Sequence, residues 1–272
     1  MTQATVLKFG GELLEDADAI DLAAATIVRL SRSEPLVPLV VVHGGGRAID
    51  AELRARGVAP RFVDGVRITD EPTLDAVISV LAGRTNTSLV ASVGAAGGRA
   101  IGLTGADGFI GLSKRAGEFK AVSGERVDLG LVGNPEPGEM SLLRDLLQLG
   151  CIPIVSSIGV DAQGTLLNVN ADVMAAHLAA MLGAKRLIIA GTTPGVLDAD
   201  GNAMPDLALD EIDRMAASGS AHSGMLAKLN ACRRALIAGV GDVAIVSGRA
   251  TTDIRNAPGT RIVASAVLQQ QG

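Results

Sequence analysis

Thr5-Val6-Leu7-Lys8-Phe9-Gly10-Gly11 carries an apolar, β-branched run into a pair of glycines, and Val40-Val41-Val42-His43-Gly44-Gly45-Gly46 repeats the arrangement. A buried strand that ends in glycine brings backbone N–H groups, unobstructed by Cβ atoms, to the start of the next helix, where an anion is favoured. Lys8 adds a positive charge inside the first run. A tight βα turn also needs glycine, so either cluster taken alone reads equally as a turn or as a cradle for phosphate or carboxylate.

Outward from these junctions, strand-like runs at residues 5–9, 36–43, 100–104, 152–156, 186–190 and 242–246 alternate with helical periodicity at 18–30, 48–56, 73–96, 142–149, 171–182 and 225–238. Such alternation predicts a mainly parallel sheet covered on both faces. Gly57, Gly150, Gly183 and Gly239 stand where helices should end. Residues 109–138 break into short pieces with several glycines, which predicts hairpins projecting over a ligand. With no repeat and no long linker, a division into lobes at Gly183, 1–183 and 184–272, passes across one continuous sheet.

Composition narrows the function. The 272 residues include 34 glycines and four phenylalanines but no Trp or Tyr, so packing rests on Val, Leu, Ile and Ala, as in α/β layers. A net charge of −5 and the lack of a basic run interleaved with aromatics argue against nucleic acid as a partner. Cys151 and Cys232 sit in apolar patterns as small buried residues, which indicates neither a disulfide framework nor a metal cluster. No secretory pattern opens the chain and no apolar stretch approaches membrane-spanning length, so the expectation is a cytoplasmic protein that does not engage a membrane.

Several stretches carry candidate chemistry. The phosphate loop G-x-x-x-x-G-K-[ST] is absent, so a nucleotide would need another cradle. Gly239-Val240-Gly241 lies between a helix and the following strand, the reverse of dinucleotide-binding order, and reads as helix capping. Asn168-Val169-Asn170-Ala171-Asp172 is either an N-cap or a polar cluster that orients substrate and an ammonium. Lys228, one turn inside a helix, and Arg67, in Gly65-Val66-Arg67-Ile68-Thr69-Asp70, are surface cations by default, although the planar fork of Arg67 suits a carboxylate. His43, His177 and His222 match no nucleophile spacing and are left out of catalysis.

Taken in order, Val6–Gly11, Val41–Gly46, Gly65–Asp70, Leu131-Val132-Gly133, Asn168–Asp172 and Gly224-Met225-x-x-Lys228 resemble the signatures of the amino acid kinase family, and the resemblance extends to Gly259-Thr260. It implies a three-layer αβα sandwich around an open, mainly parallel eight-stranded sheet, with the acyl-amino-acid site in the N-terminal part and ATP in the C-terminal part. It implies attack by the γ-carboxylate of N-acetyl-L-glutamate on the γ-phosphorus of ATP carrying Mg2+, with no metal held by the protein's own side chains. By this resemblance Lys8 and Lys228 reach the transferring phosphoryl and Asp172 holds both lysines. Gly44, Gly45, Arg67, Asn168 and Asn170 would bind the acyl substrate, and Gly10, Gly11, Gly191, Thr192, Gly195, Val196, Ala221, His222 and Gly224 the nucleotide.

The chain departs from the family pattern at Ala190-Gly191-Thr192-Thr193, where Thr192 replaces an acidic residue, and at Ser223-Gly224-Met225, where a glycine pair is usual. Because it opens directly on the first strand, without the helix of arginine-inhibited hexamers, the resemblance implies a homodimer. A kinase for a related acylated amino acid or carbamate, and a catalytically silent nucleotide- or amino-acid-binding regulator of the same fold, are the alternatives.

Overall fold

The computed structural model describes residues 4–33, 36–198, 200–219, 223–249 and 251–264. The apolar runs become one eight-stranded sheet made of β1 (Thr5–Phe9), β2 (Leu39–His43), β3 (Ala100–Thr104), β4 (Ile152–Ser156), β5 (Arg186–Gly191), β6 (Asp206–Ala208), β7 (Asp242–Ser247) and β8 (Gly259–Val263). Across the sheet they lie in the order β6-β8-β7-β5-β1-β2-β4-β3. β1 is paired in parallel with β5 on one side and β2 on the other. β8 runs antiparallel to β7, and β6 is parallel to β8, so this edge opposes the other six strands.

The register fixes where the glycine clusters emerge. Phe9 stands opposite both His43 and Ala190, so Gly10, Gly44 and Gly191 leave three adjacent strands at one level. Strand β2 starts at Leu39, shorter than the apolar run that begins at Leu36, because Pro38 has no N–H for the ladder and Leu36 is exposed. Only the carbonyl of Pro38 contributes, accepting from Thr5 N at 2.8 Å.

Two helical layers cover the sheet. The period of two along each strand sends Val6, Val42, Leu187 and Ile189 to a core shared with α5 (Ala171–Leu182) and α7 (Ser223–Ile237). Leu7, Phe9, Val41 and Ile188 face α1 (Ala17–Ser31) and the end of α3 (Glu71–Ala95). Lys8 shares the parity of Val6, which directs it to the α5 side. The remaining helices are α2 (Gly46–Ala55), α4 (Ser141–Gln148) and α6 (Leu209–Ser218). α5 ends at Gly183 with φ 60° and ψ 43°, whose N–H returns to the last turn, as the sequence predicts.

The helix α3, Glu71–Ala95, corrects the expectation that nothing reaches membrane-spanning length, since by length and composition it qualifies. Its apolar residues are spent in the cores instead: Val77, Val80 and Leu81 pack against Ile49 and Leu53 of α2, while Leu89 and Val93 pack on the α1 side. A π-helical turn at Ser79–Thr85 interrupts it, which periodicity alone did not reveal. The 109–138 segment forms the expected hairpins, Ser113–Arg115 with Gly133–Pro135 and Glu118–Lys120 with Arg126–Asp128.

The two glycine clusters touch. A Cβ at Gly11 would lie 2.5 Å from Gly45 Cα and 2.8 Å from Gly45 N, so the backbones pack with no room for a side chain. A Cβ at Gly46 would meet nothing within 4 Å. Gly11→Ala is therefore expected to lose about 1–3 kcal/mol of stability through overpacking, while Gly46→Ala loses none. Urea unfolding of both variants checks this, and equal losses would contradict the contact.

Candidate active site

The strand ends enclose a cleft of about 700 Å³ lined by the glycine clusters, the start of α5, the 109–138 hairpins and one face of α7. Gly10 N donates to Ala190 O at 2.9 Å and Gly44 N to Phe9 O at 3.3 Å, which holds the three strand ends together. A Cβ at Gly44 would come within 3.2 Å of Ala171 Cβ, so the first turn of α5 is seated directly against the second cluster.

That turn brings Asp172 to Lys8. Asn170 caps α5, its Oδ1 accepting from Asp172 N at 2.9 Å and Val173 N at 3.1 Å, and thereby sets the direction of the Asp172 side chain. Asp172 Oδ1 lies 2.8 Å from Lys8 Nζ, with side chains only 9% and 8% exposed. Both charges have lost water, and each depends on the other for compensation. Asn170 is thus an N-cap, the plainer of the two sequence readings, and the cap serves the ion pair.

Lys228 sits on α7, half-buried, with Nζ 3.2 Å from where a Cβ of Gly191 would stand. Asp172 reaches Lys8 and, among the described residues, forms no ion pair with Lys228, where the resemblance implies that one carboxylate holds both lysines. The separation follows from the backbone: Lys8 comes up from the sheet, while Lys228 comes across from the neighbouring helix and stays over β5.

Arg67 is buried, not the exposed cation that its sequence context suggests. Its Nη1 lies 2.7 Å from Asp50 Oδ1, its Nη2 donates to Gly46 O at 3.2 Å, and its guanidinium stacks 4.5 Å from the Phe62 ring centre. Asp50 is one helical turn past Gly46 on α2, and that spacing was the available signal for it. Asn168 lines the same part of the cleft and donates to Thr69 Oγ1 at 3.0 Å.

On the β5 side, Thr192 is half-buried, and Gly195, at φ 135°, is wedged so that a Cβ would lie 2.6 Å from Thr260 Oγ1. Val196 is packed in the core, its N–H bonded to Thr260 Oγ1 at 2.8 Å and its carbonyl to Met204 N at 2.8 Å. Both of its backbone polar groups are therefore used within the fold. Gly224 is exposed in the first turn of α7. Ala221 and His222 lie outside the described residues.

The histidine at the second junction supplies no charge. His43 is completely buried, and desolvation holds its pKa down to about 4 against a weaker opposing effect of the Gly44 carbonyl. Asn86 Nδ2 donates to His43 Nε2 at 3.0 Å and to Ile154 O at 2.9 Å, which leaves the imidazole proton on Nδ1. Burial also lowers the pKa of His177 on α5. Neither ring lines the cleft.

The unfolded chain takes up a proton at His43 near pH 6.5 and the folded chain only near 4, so stability is full above 6.5 and falls as pH drops through that window. The shift corresponds to roughly 3 kcal/mol. Urea midpoints measured from pH 7 to 4 should fall less steeply in His43→Gln than in the wild type; parallel slopes would contradict a buried neutral imidazole.

The sequence model of the amino acid kinase family matches residues 3–247. Acetylglutamate kinase of Novosphingobium aromaticivorans is 40% identical over 253 residues, covering 90% of this chain and 83% of its own length. Acetylglutamate kinase of Koribacter versatilis is 39% identical over 241 residues, 89% of each chain. Among solved structures, N-acetylglutamate synthase from Neisseria gonorrhoeae, complexed with coenzyme A and N-acetyl-glutamate, superposes with a TM-score of 0.81 at 25% identity, over 97% of this chain and 60% of that one. Carbamate kinase from Giardia lamblia bound to AMP-PNP shares the fold, with a TM-score of 0.67 at 16% identity over 97% of this chain and 99% of the other. With the model spanning most of its length and these relatives covering nine-tenths of it, the chain belongs to the amino acid kinase family.

Proposed function

We propose that this chain transfers the γ-phosphoryl group of ATP to the γ-carboxylate of N-acetyl-L-glutamate, a step of arginine biosynthesis. The two relatives at about 40% identity are named acetylglutamate kinase, which supports this reading, and the observation that supports it most within the molecule is the buried Lys8–Asp172 pair at the meeting of the glycine clusters. The reading places the acyl amino acid in residues 1–183 and the nucleotide in residues 184–272, with the phosphoryl passing where β1 and β5 end side by side. We further read it as a cytoplasmic homodimer.

The chemistry requires alignment and charge rather than a base. The attacking carboxylate is ionised near neutral pH, so nothing need remove a proton, and the neutral, enclosed His43 fits that requirement. What opposes reaction is the approach of an anion to a polyanion. Lys8 from the sheet and Lys228 from α7 would place positive charge on either side of the transferring group, and the backbone N–H groups of Gly11 and Gly45 would face its oxygens, since those of Gly10 and Gly44 are spent on Ala190 O and Phe9 O. Asp172 fixes the Lys8 ammonium at one point, which saves reorganisation during the reaction. Arg67, anchored by Asp50, and Asn168 would hold the α-carboxylate end of the substrate.

Among the described residues no group of three or more His, Cys, Asp or Glu is placed to enclose a metal, and the cleft offers few carboxylates. That donor set fits a divalent cation carried in on the nucleotide phosphates better than a resident one. Bound there, Mg2+ would neutralise phosphate charge.

Lys228→Ala is expected to lower kcat by about 10²–10³-fold with stability unchanged, since among the described residues Lys228 has no ion-pair partner to abandon. Lys8→Ala should lower kcat similarly and also shift the urea midpoint down, because Asp172 is left buried without its counter-charge. Coupled ADP release with N-acetyl-L-glutamate, N-succinyl-L-glutamate, aspartate and carbamate measures the first effect and the substrate choice together. Near-wild-type turnover in either variant would remove that lysine from the mechanism, and preference for carbamate would overturn the substrate assignment.

A further inference from the structure

Glu12 follows the first glycine pair, and neither the sequence motifs nor the reaction as derived gives it a role. Its side chain folds back into the cleft. A methyl group at Gly10 would land on the Glu12 carboxylate, and one at Gly191 would lie 3.5 Å from Glu12 Oε1 and 3.2 Å from Lys228 Nζ. The carboxylate therefore covers the ends of β1 and β5 together, beside the ammonium that the mechanism places on the phosphoryl group. Among the described residues it accepts no hydrogen bond and makes no ion pair.

An unpartnered anion on the floor of a phosphate cradle is electrostatically out of place. Like charges brought together there repel by an amount that grows as water leaves the cleft, so a bare polyphosphate would be disfavoured. A dication between carboxylate and phosphates reverses the sign of the effect, and Mg2+ is commonly held by one or two carboxylates plus substrate phosphates. The other carboxylates lining the cleft are already engaged, Asp172 with Lys8 and Glu118 with Arg126. We propose that the Glu12 carboxylate is this chain's own contact to the divalent cation on the nucleotide, and that it makes the site discriminate MgATP from metal-free ATP. The proposal rests on the nucleotide reading of the cleft given above.

Calorimetric titration of the full chain with ATP, in Mg2+ and separately in EDTA, tests it without turnover. The wild type is expected to bind the magnesium complex more tightly than metal-free ATP, and Glu12→Gln to narrow that ratio about tenfold, the effect of losing one charge-assisted contact. Glutamine preserves the size of a side chain that has no partner to lose among the described residues, so the fold should be undisturbed. An unchanged ratio in Glu12→Gln, whether both affinities rise, fall or stay, would overturn the proposal. Failure of the wild type to bind ATP in either form would instead overturn the nucleotide reading, and the proposal with it.

Discussion

A lysine on a central strand, drawn out of water and held 2.8 Å from a single aspartate, is the interaction on which the rest of the cleft depends. The strand supplies the direction, because Lys8 alternates with Leu7 and Phe9 and must face α5. The helix supplies the counter-charge at a place fixed by the Asn170 cap and by the contact of Ala171 with Gly44. Removing either charge would leave the other buried alone, so the pair ties the position of α5 to the position of β1.

The surroundings keep that charge from being diluted or duplicated. Gly11 and Gly45 pack backbone to backbone, which brings two sets of N–H groups close together where side chains would hold them apart. His43, next to the second cluster, is kept neutral by burial and occupied by Asn86, so titration near neutrality does not change the charge of the site. The Cys232 thiol, on α7 within electrostatic reach of both lysines and Asp172, is pushed up chiefly by burial and secondarily by Asp172, and so stays protonated. His43 and Cys232 are thereby held uncharged, while Arg67 brings its charge to the cleft already balanced by Asp50.

The central strands were legible because a parallel strand buried on both faces is an unbroken apolar run, and the junctions were legible because glycine pairs follow two such runs. β6 escaped notice for the opposite reason: it is a three-residue edge strand, Asp206–Ala208, with too short a pattern to show a period. The hairpins Phe62–Val63 with Val66–Arg67 and Ile158–Val160 with Leu166–Asn168 were missed for the same cause. Of the site, the candidate residue types could be read locally, but the pairing of Lys8 with Asp172 could not, since it joins distant parts of the chain and only the ordered family motifs suggested it. Arg67 shows the limit from the other side: its burial comes from Asp50 and Phe62, whose approach depends on how α2 and a two-residue hairpin fold together. Glu12 directly follows the most informative stretch of all and carries no spacing signal, because its significance comes from Gly191 and Lys228 across the sheet.

In the proposed mechanism Asp172 acts on catalysis through Lys8. A double-mutant cycle on kcat with Lys8→Gln, Asp172→Asn and the two combined measures this directly, with both replacements keeping hydrogen-bonding capacity. If the claim holds, the effects are strongly non-additive, and the double variant is no more than about threefold slower than Lys8→Gln, in keeping with a coupling energy of the order seen for residues in contact. Losses that simply multiply would show that Asp172 contributes independently of the lysine it touches, and would rule this coupling out.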